Sequence, residues 1–313
     1  MSEKVIDVAI IGAGIAGLTA AIYARRANKT VVVLEEKVYG GQILSTFTVG
    51  NWPGDPDISG PDLMKKIYHH VNKLGAGIRY EKVLEVRDLG ELKEVKTDER
   101  VILARSVIIA TGTIEKEMGV LGEKEFFGRG ISYCATCDGA LYQGKEVVVV
   151  GGGNSAFYNA LYLADVCSKV YIVHRREEFR ADATLVDKVR TKGNVEFILA
   201  SRPVEVLGSE KLEGLVVEDS VGGRREISAA AIFVAVGKQP ATEVFSGLLK
   251  MDEAGYIIAG EECMTSVDGI FVAGDCRTKC MKQLITAAAD GAIAGNAAAA
   301  YAGKTLVAAC VDE

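Results

Sequence analysis

The sequence predicts an α/β protein of two related domains with parallel sheets, the second inserted into the first. Length is the first reason, because 313 residues suffice for two domains of roughly 150 residues, each with its own core. The second is a strand–glycine turn–helix–strand pattern that occurs twice. The third is a C-terminal stretch without a further glycine turn, which favours a return to the first domain.

The two copies of the pattern are similar element by element. In the first, residues 5–11 predict a strand, GAGIAG at 12–17 a tight turn, 18–27 a helix and 31–34 a second strand. In the second, residues 146–150, GGGNSA at 151–156, a helix through Leu161 and Leu163, and residues 170–173 repeat that order. Residues 107–112 and 232–237 add a later strand to each copy. We interpret the chain as an internal duplication of one βαβ nucleotide fold, which is Rossmann-like.

The C-terminal stretch contains the apolar run 269–275 and an alanine-rich helix from about Thr286 to Ala302. Because it has no glycine turn of its own, we expect it to complete the first domain. The predicted boundaries are residues 1–113 and 244–313 for the first domain and 114–243 for the inserted domain.

Composition excludes several classes of protein. Asp and Glu (42) outnumber Lys and Arg (36), a formal charge of −6, which argues against a nucleic-acid partner. No apolar run approaches the roughly 18–20 residues of a membrane span, and Asp7 interrupts the first apolar stretch, so no signal peptide is expected. We expect a cytoplasmic protein, whose seven cysteines are reactive, metal-binding or spare.

Both glycine turns are typical of dinucleotide sites. The first glycine permits the turn, the second lets a pyrophosphate approach the backbone, and the third lets helix and strand pack. The helix N-terminus adds a positive dipole end. In the first copy the acidic pair Glu35-Glu36 suits the hydroxyls of a ribose. The alternative is a glycine-rich turn without a ligand.

The second copy differs where it would meet the ribose. His174, Arg175 and Arg176, followed by Arg180, replace the acidic pair. Arginines suit a 2′-phosphate through charge-assisted, often bidentate bonds, so this copy favours NADP(H). A solvated basic face is the alternative. A chain with both kinds of site favours electron transfer from a nicotinamide to a bound flavin.

A pair of cysteines, Cys134 and Cys137, precedes the second glycine turn. The C-x-x-C spacing allows a small, reversible disulfide ring whose thiolate can be stabilised by nearby positive charge. Zinc is the alternative, and the nearest further pair, Cys276 and Cys280, has the less suitable C-x-x-x-C spacing. Asp138 suits a proton donor and acceptor for the thiol steps, and capping of the following turn is its alternative role.

The other five cysteines carry less weight. Cys167 lies in an apolar helical pattern and is expected in the core. Cys263, Cys276, Cys280 and Cys310 have no partner at redox spacing, and we interpret them as spare thiols. No metal site is expected.

These motifs together closely resemble those of the low-molecular-weight, bacterial-type thioredoxin reductases in the class II pyridine nucleotide-disulfide oxidoreductase family. The resemblance is carried by the two glycine turns, HRREEFRA at 174–181, and the highly specific CATCDG at 134–139. GGQ at 40–42, NWPG at 51–54 and AGD at 273–275 extend it over nearly the whole chain.

The resemblance implies an enzyme in which NADPH reduces FAD, FAD reduces a Cys134–Cys137 disulfide, and the dithiol reduces thioredoxin. It implies that Cys137 faces the flavin and Cys134 attacks thioredoxin, in a homodimer whose domains rotate between the two half-reactions. The implied FAD-binding residues are Gly12, Gly14, Ile15, Ala16, Glu35, Glu36, Gly40, Gly41, Gln42, Asn51, Val83 (through its backbone), Asp275, Lys282, Gln283 and Leu284. The implied NADPH-binding residues are Gly151, Gly153, Asn154, Ser155, Ala156, His174, Arg175, Arg176 and Arg180.

Two departures from the family pattern concern the ligand sites. Lys282-Gln283-Leu284 stands where the family usually has Arg-Gln-Ala or Arg-Gln-Val, which keeps the charge and loses the guanidinium fork. Tyr158-Asn159 stands where the family often has two glutamates, near the nicotinamide end of the site. We expect any change in hydride-donor affinity to arise there.

Two other functions are compatible with the motifs. One is a flavin-dependent disulfide reductase with another donor, such as ferredoxin, or with another small redox protein as acceptor. The other is a zinc- or nucleotide-binding module without turnover. A flavin spectrum of the purified protein would exclude the binding module, and colourless protein that contains zinc would favour it.

Overall fold

The computed structural model describes residues 5–46 and 48–309, so Cys310 lies outside the described residues. The chain forms two compact units, Met1–Ile114 with Gln239–Glu313, and Glu115–Lys238. The second unit is a continuous stretch inserted into the first, which confirms the predicted fold class.

Each unit begins with alternating strands and helices. Helices α1 to α7 span, in chain order, Ile15–Arg26, Gly60–Lys73, Glu123–Phe126, Ala135–Asp138, Asn154–Val166, Ala183–Arg190 and Leu284–Ala309. Strands β1 to β17 span Ile6–Ile11, Val31–Glu35, Gly77–Tyr80, Val83–Asp88, Lys93–Thr97, Val101–Ile109, Thr113–Glu115, Ile131–Ser132, Glu146–Val150, Lys169–Val173, Val195–Ile198, Ser201–Gly208, Leu212–Asp219, Arg224–Ser228, Ala231–Val234, Lys238–Pro240 and Ile270–Val272. Short 3-10 helices lie at Gly41–Ser45, Gly139–Tyr142 and Glu243–Phe245. No helix among the described residues is both long and apolar enough to cross a membrane.

The first unit is built on a seven-stranded sheet in the order β3-β2-β1-β6-β5-β4, with β17 beside the C-terminal end of β6. Strands β1, β2, β3, β6 and β17 are parallel, whereas β4 and β5 pair in antiparallel fashion. In the middle of the sheet, Ile10 lies between Val33 and Ile108. Ile10 packs into one core cluster and the next residue, Ile11, into another. Burial on both faces explains why β1 is a continuous apolar run without alternation.

Helix α7 packs closely on α1 and completes the first unit. An added Cβ at Gly291 would lie 2.2 Å from the carbonyl oxygen of Ala16, so the two backbones approach more closely than a larger residue allows. Strand β17 pairs with β6, and the C-terminal stretch therefore returns to the first unit as expected. The helix extends beyond the predicted end at Ala302 to Ala309, because helix-favouring residues such as Lys, Leu and Ala continue the sequence.

The second unit repeats the central part of the first. Its five-stranded sheet, in the order β11-β10-β9-β15-β8, is parallel throughout. Strands β6 and β15, predicted as equivalent later strands, are the parallel neighbours of β1 and β9 respectively. This correspondence confirms the internal duplication.

Several elements were not predicted from the sequence. They are the antiparallel strands β4 and β5, the three-stranded antiparallel sheet of β12, β13 and β14, and the pairing of β7 with β16. Strands β7 and β16 lie where the chain passes from one unit to the other.

Candidate functional site

The first glycine turn is shaped by contacts that admit no side chain at two of its glycines. An added Cβ at Gly12 would lie 2.4 Å from the carbonyl oxygen of Ala110, and one at Gly17 would lie 1.9 Å from that of Gly12. At Gly14 the added atom would meet nothing within 4 Å. The turn is therefore closely packed at Gly12 and Gly17 and open at Gly14. Gly14 lies at the N-terminus of α1, where the open space fits the approach of a pyrophosphate.

The acidic pair after β2 separates into two roles. The Glu35 carboxylate accepts hydrogen bonds from the backbone N–H groups of Ala13 (2.9 Å) and Lys37 (3.0 Å), so it is held beside the glycine turn. Glu36 instead pairs with Lys82, with 3.0 Å between Oε1 and Nζ. Glu35 therefore lies at the glycine turn, whereas Glu36 is directed toward Lys82.

Other residues of the predicted flavin site are held in two pairs, each joined by a hydrogen bond. Gly40 donates its N–H to the carbonyl of Ala13 at 2.8 Å, which brings the 40–42 segment to the glycine turn. The Asn51 side chain donates to Oε1 of Gln283 at 3.0 Å. The first bond joins the glycine turn to the 40–42 segment. The second joins the loop of Asn51 to the segment just before α7.

Lys282 braces the loop that contains Asp275. Its Nζ donates to the carbonyl oxygens of Asp275 (2.9 Å) and Arg277 (3.2 Å) and lies 3.3 Å from the centre of the Tyr256 ring. Burial lowers the pKa of the Lys282 amine. Lys282, which stands where the family usually has arginine, therefore supports this loop by donating to two of its backbone carbonyls. It also makes a cation–π contact with Tyr256.

Beneath the same loop lies a charged cluster that the sequence did not indicate. The buried Asp290 carboxylate accepts two hydrogen bonds from Arg277 (2.9 and 2.8 Å) and one each from Lys279 (2.8 Å) and the Gly274 N–H (2.9 Å). Burial raises the pKa of Asp290, but the hydrogen bonds from these donors together outweigh burial and hold the pKa below its usual value. The cluster fixes the backbone of the AGD segment from below.

The second glycine turn repeats the contacts of the first. An added Cβ at Gly151 would lie 2.3 Å from the carbonyl oxygen of Ala235, which follows β15 as Ala110 follows β6. At Gly153 it would meet nothing within 4 Å. Ala156, in the third position, is fully buried. This turn is also open only where a pyrophosphate would approach.

A cavity of about 820 Å³ opens over this second turn. The lining includes four residues of the predicted site, Gly151, His174, Arg175 and Arg180, and does not include the other five, Gly153, Asn154, Ser155, Ala156 and Arg176. The lining also includes residues that were not predicted, namely Lys116, Glu117, Met118, Gly119, Val120, Ser201, Arg202, Pro203 and Val204. Basic side chains outnumber acidic ones in this lining, which suits an anionic ligand.

The loop that carries the arginines is fastened to the glycine turn. Asn154 and Asp182 exchange two hydrogen bonds, of 2.9 and 2.8 Å, and the Arg180 N–H donates to the carbonyl of Gly152 at 2.8 Å. His174 is 6% exposed, and one ring nitrogen lies 3.2 Å from the carbonyl oxygen of Glu178. Burial, followed by the nearby arginines, lowers the pKa of His174. The ring is therefore neutral near pH 7 and serves packing more than charge.

Two neighbouring glycines are expected to respond differently to substitution. A Cβ at Gly152 would fall 2.3–2.5 Å from three atoms of the buried His174 ring, so Gly152→Ala should reduce the free energy of unfolding by about 1–3 kcal/mol through overpacking. Gly153→Ala, at an open position with extended backbone, should lower stability less, by the cost of a poorer N-cap residue on α5, and should weaken NADPH binding. Denaturant unfolding and nucleotide titration measure the two effects. An equal loss of stability in both variants would contradict this packing.

The two cysteines of the C-x-x-C motif are disulfide-bonded in the structure. Cys134 precedes the short helix α4, and its Sγ accepts a hydrogen bond from the Cys137 N–H at 3.2 Å. Thr136 Oγ1 lies 3.4 Å from the same sulfur. Cys137 is exposed and Cys134 is half-buried.

Asp138 is tied to this loop by a serine that sequence reasoning missed. Ser132 Oγ donates to Asp138 Oδ2 at 2.6 Å and accepts from the Cys134 N–H at 3.0 Å. The Asp138 side chain makes no capping hydrogen bond to the helix that follows. The carboxylate is therefore held next to the cysteines, and the capping alternative is not supported.

A second buried carboxylate links the cavity to the cysteine segment. Glu123 accepts hydrogen bonds from the N–H groups of Met118 (2.8 Å) and Gly119 (2.7 Å), both of which line the cavity. Its Oε1 also lies 3.4 Å from the hydroxyl of Tyr133, the residue before Cys134. Burial and then Glu123 raise the pKa of Tyr133 to about 12. No sequence pattern singled out this glutamate, because its role depends on the fold of the 118–120 loop.

The remaining described cysteines differ in accessibility. Cys167, Cys263 and Cys276 are buried, and burial raises the pKa of each thiol, that of Cys263 to about 11. Cys280 is exposed. Within residues 5–46 and 48–309, no group of three or more His, Cys, Asp or Glu side chains is arranged to hold a metal ion.

Comparison with known proteins gives consistent matches over nearly the whole chain. The model of the pyridine nucleotide-disulphide oxidoreductase family matches residues 6–291. A thioredoxin reductase of Bacillus subtilis is 43% identical over 302 residues, which cover 96% of this chain and 95% of the relative.

Two solved structures are also similar. A Lactococcus lactis thioredoxin reductase in its FR conformation gives a TM-score of 0.89 at 38% identity, covering 96% of this chain and 99% of that one. A ferredoxin-flavin thioredoxin reductase of Clostridium acetobutylicum gives a TM-score of 0.55 at 30% identity, covering 97% and 99%.

Proposed function

The chain belongs to the pyridine nucleotide-disulphide oxidoreductase family, and on that premise we propose that it is an NADPH-dependent thioredoxin reductase. In the overall reaction NADPH, a proton and thioredoxin disulfide give NADP⁺ and thioredoxin dithiol, so that two electrons pass to the acceptor. The observation that carries the proposal is a C-x-x-C disulfide in the same unit as a basic dinucleotide cavity.

FAD is the cofactor of this reaction, and the first unit fits it. The open space over Gly14 suits the pyrophosphate, and the fixed carboxylate of Glu35 suits a ribose. We assign Asn51, Lys282 and Gln283 to the ring system, as the family resemblance implies; the bond between Asn51 and Gln283 and that from Lys282 to the Asp275 carbonyl support this assignment. When bound, FAD supplies the chemistry that connects a hydride donor to a disulfide.

NADPH is the donor that the second unit favours. Arg175 and Arg180 line its cavity, and guanidinium groups suit a 2′-phosphate. The open position at Gly153 suits the pyrophosphate. The Clostridium acetobutylicum protein of similar fold is named a ferredoxin-flavin thioredoxin reductase, but the basic cavity of this chain supports a nucleotide donor.

The thiol chemistry falls to three side chains. We assign Cys137 to the flavin and Cys134 to the attack on thioredoxin, as the family resemblance implies. Attack of a thiolate on a disulfide releases a second thiolate, which needs a proton at neutral pH. Asp138, held by Ser132 beside the cysteines, is placed to give and take that proton.

We also propose that the protein is a cytoplasmic homodimer, in which residues 1–113 and 244–313 bind FAD and residues 114–243 bind NADPH. Thioredoxin keeps cytoplasmic thiols reduced, and its oxidised form is the acceptor of the proposed reaction. Sedimentation of the purified flavoprotein measures the oligomeric state directly.

The test of the proposed function is a donor and acceptor assay. The purified protein should be yellow, should oxidise NADPH much faster than NADH, and should produce free thiols on a bacterial thioredoxin. Reduced ferredoxin serves as the competing donor and a glutaredoxin as the competing acceptor. Turnover with ferredoxin and none with NADPH would overturn the proposal, as would protein that lacks flavin and contains zinc.

A further inference from the structure

We propose that Arg202 is a specificity-determining residue for the nucleotide, and that its guanidinium binds the 2′-phosphate together with Arg175 and Arg180. This inference rests on the proposed function and deepens it. Arg202 lies outside the HRREEFRA segment, on β12, and lines the same cavity.

The backbone holds the start of β12 beside the segment that carries Arg175 and Arg176. The N–H of Ser201 donates to the carbonyl of His174 at 3.1 Å, and the N–H of Ala200 donates to the carbonyl of Arg176 at 3.4 Å. The residues immediately before Arg202 and Arg175 are therefore bonded directly to each other. Arg175 and Arg202 also line the same cavity, so both charges attract an anion that binds there.

The Arg202 side chain is oriented before any ligand arrives. Its Nη2 lies 2.7 Å from Glu218 Oε1, and the other oxygen of that carboxylate pairs with Arg224 Nε at 3.2 Å. Hydrogen bonds from Arg202 and then Arg224 lower the pKa of Glu218, which keeps the carboxylate ionised. One carboxylate between two guanidinium groups leaves net positive charge, and a restrained side chain loses less entropy on binding.

Exposure and charge both favour a phosphate ligand. The Arg202 side chain remains 69% exposed despite its ion pair, so its other donors are accessible. The cavity lining contains four basic side chains, those of Lys116, Arg175, Arg180 and Arg202, and one carboxylate, that of Glu117. A nucleotide with an additional phosphate meets more attraction there than one without it.

The test compares two adenosine phosphates as probes on the whole flavoprotein. Arg202→Met keeps an aliphatic side chain and removes the charge. It should weaken binding of adenosine 2′,5′-bisphosphate by about tenfold, as expected for loss of a charge-assisted contact, and leave adenosine 5′-monophosphate unchanged. In turnover, KM for NADPH should rise while kcat stays constant. The affinity of Arg202→Lys for the bisphosphate should lie between that of the parent protein and that of Arg202→Met, because lysine keeps the charge and loses the guanidinium fork.

Arg225→Met is the matched control. Arg225 lies on β14, pairs with Glu196 instead of Glu218 and is not among the cavity-lining residues, so affinity for both probes should remain that of the parent protein. Equal weakening of both probes by Arg202→Met, or no weakening of either, would overturn the inference. The proposed function fails separately, if the unmodified protein itself binds the bisphosphate no more tightly than the monophosphate.

Discussion

Cys134→Ser and Cys137→Ser should each lower thioredoxin reduction by several orders of magnitude while FAD remains bound. Neither sulfur alone can complete a two-electron disulfide cycle. NADPH should still bleach the flavin in both variants, because that step requires no thiol. Stopped-flow absorbance follows the bleaching, and free thiols on thioredoxin report turnover. Cys280→Ser, at an exposed cysteine outside the pair, is the matched control and should retain full activity.

The same two variants distinguish the roles of the sulfurs. Cys134→Ser keeps the thiolate assigned to the flavin and should show a long-wavelength band from a thiolate beside oxidised flavin. Cys137→Ser should instead trap a mixed disulfide with a thioredoxin that lacks its resolving cysteine. In the structure Cys137 is the more exposed residue, whereas the family resemblance assigns the outward attack to Cys134. Exchange of the spectral and trapping results between the variants would reverse the assignment, and substantial turnover in either would refute it.

The double variant Arg175→Ala/Arg180→Ala should raise KM for NADPH by about a hundredfold or more. Each lost charge-assisted contact costs roughly 1.5–3 kcal/mol, and about 1.4 kcal/mol corresponds to a factor of ten. The KM for NADH should change little because NADH has no 2′-phosphate. Steady-state kinetics with both nucleotides measure the ratio.

Variants of two further arginines serve as a control and a comparison for the double variant. Arg190→Ala, an exposed position of α6 that is not among the cavity-lining residues, should leave both constants unchanged. Arg176→Ala should have a smaller effect than Arg175→Ala, since the Arg176 side chain is not in the lining either. An equal loss with NADPH and NADH in the double variant would mean that these arginines do not read the phosphate.

The frame of both nucleotide sites could be predicted because it is encoded locally. A glycine turn between a strand and a helix occupies about thirty residues together with its flanks, and its residue pattern can be recognised within that stretch. The same local pattern could not show which of the two carboxylates, that of Glu35 or that of Glu36, lies beside the glycine turn. Successive side chains at the end of a strand point to opposite faces, and only the structure shows that Glu35 faces the turn.

The residues that were missed act through contacts between segments. Ser132 is unremarkable in sequence and becomes informative only through its bond to Asp138. Arg202 reaches the cavity because β12 lies beside the end of β10. Asp290 lies in an alanine-rich helix and meets Arg277 only after α7 has folded onto the first unit. Short polar motifs do not encode such pairings, so the supporting residues required the fold.

The burial of Cys167, Cys263 and Cys276 affects how the protein meets oxidants and alkylating reagents. A thiol reacts as its thiolate, and these three are protonated near neutral pH and shielded from solvent. Within the described part of the chain, such reagents are therefore left with Cys280 and, after reduction, Cys134 and Cys137. Damage by peroxide or by an electrophilic drug is concentrated on Cys280 and the two cysteines of the disulfide, and the cores of both units are spared sulfenic acid and mixed-disulfide lesions. The same chemical selectivity makes the reduced protein a target that a thiol-directed inhibitor could modify without unfolding it.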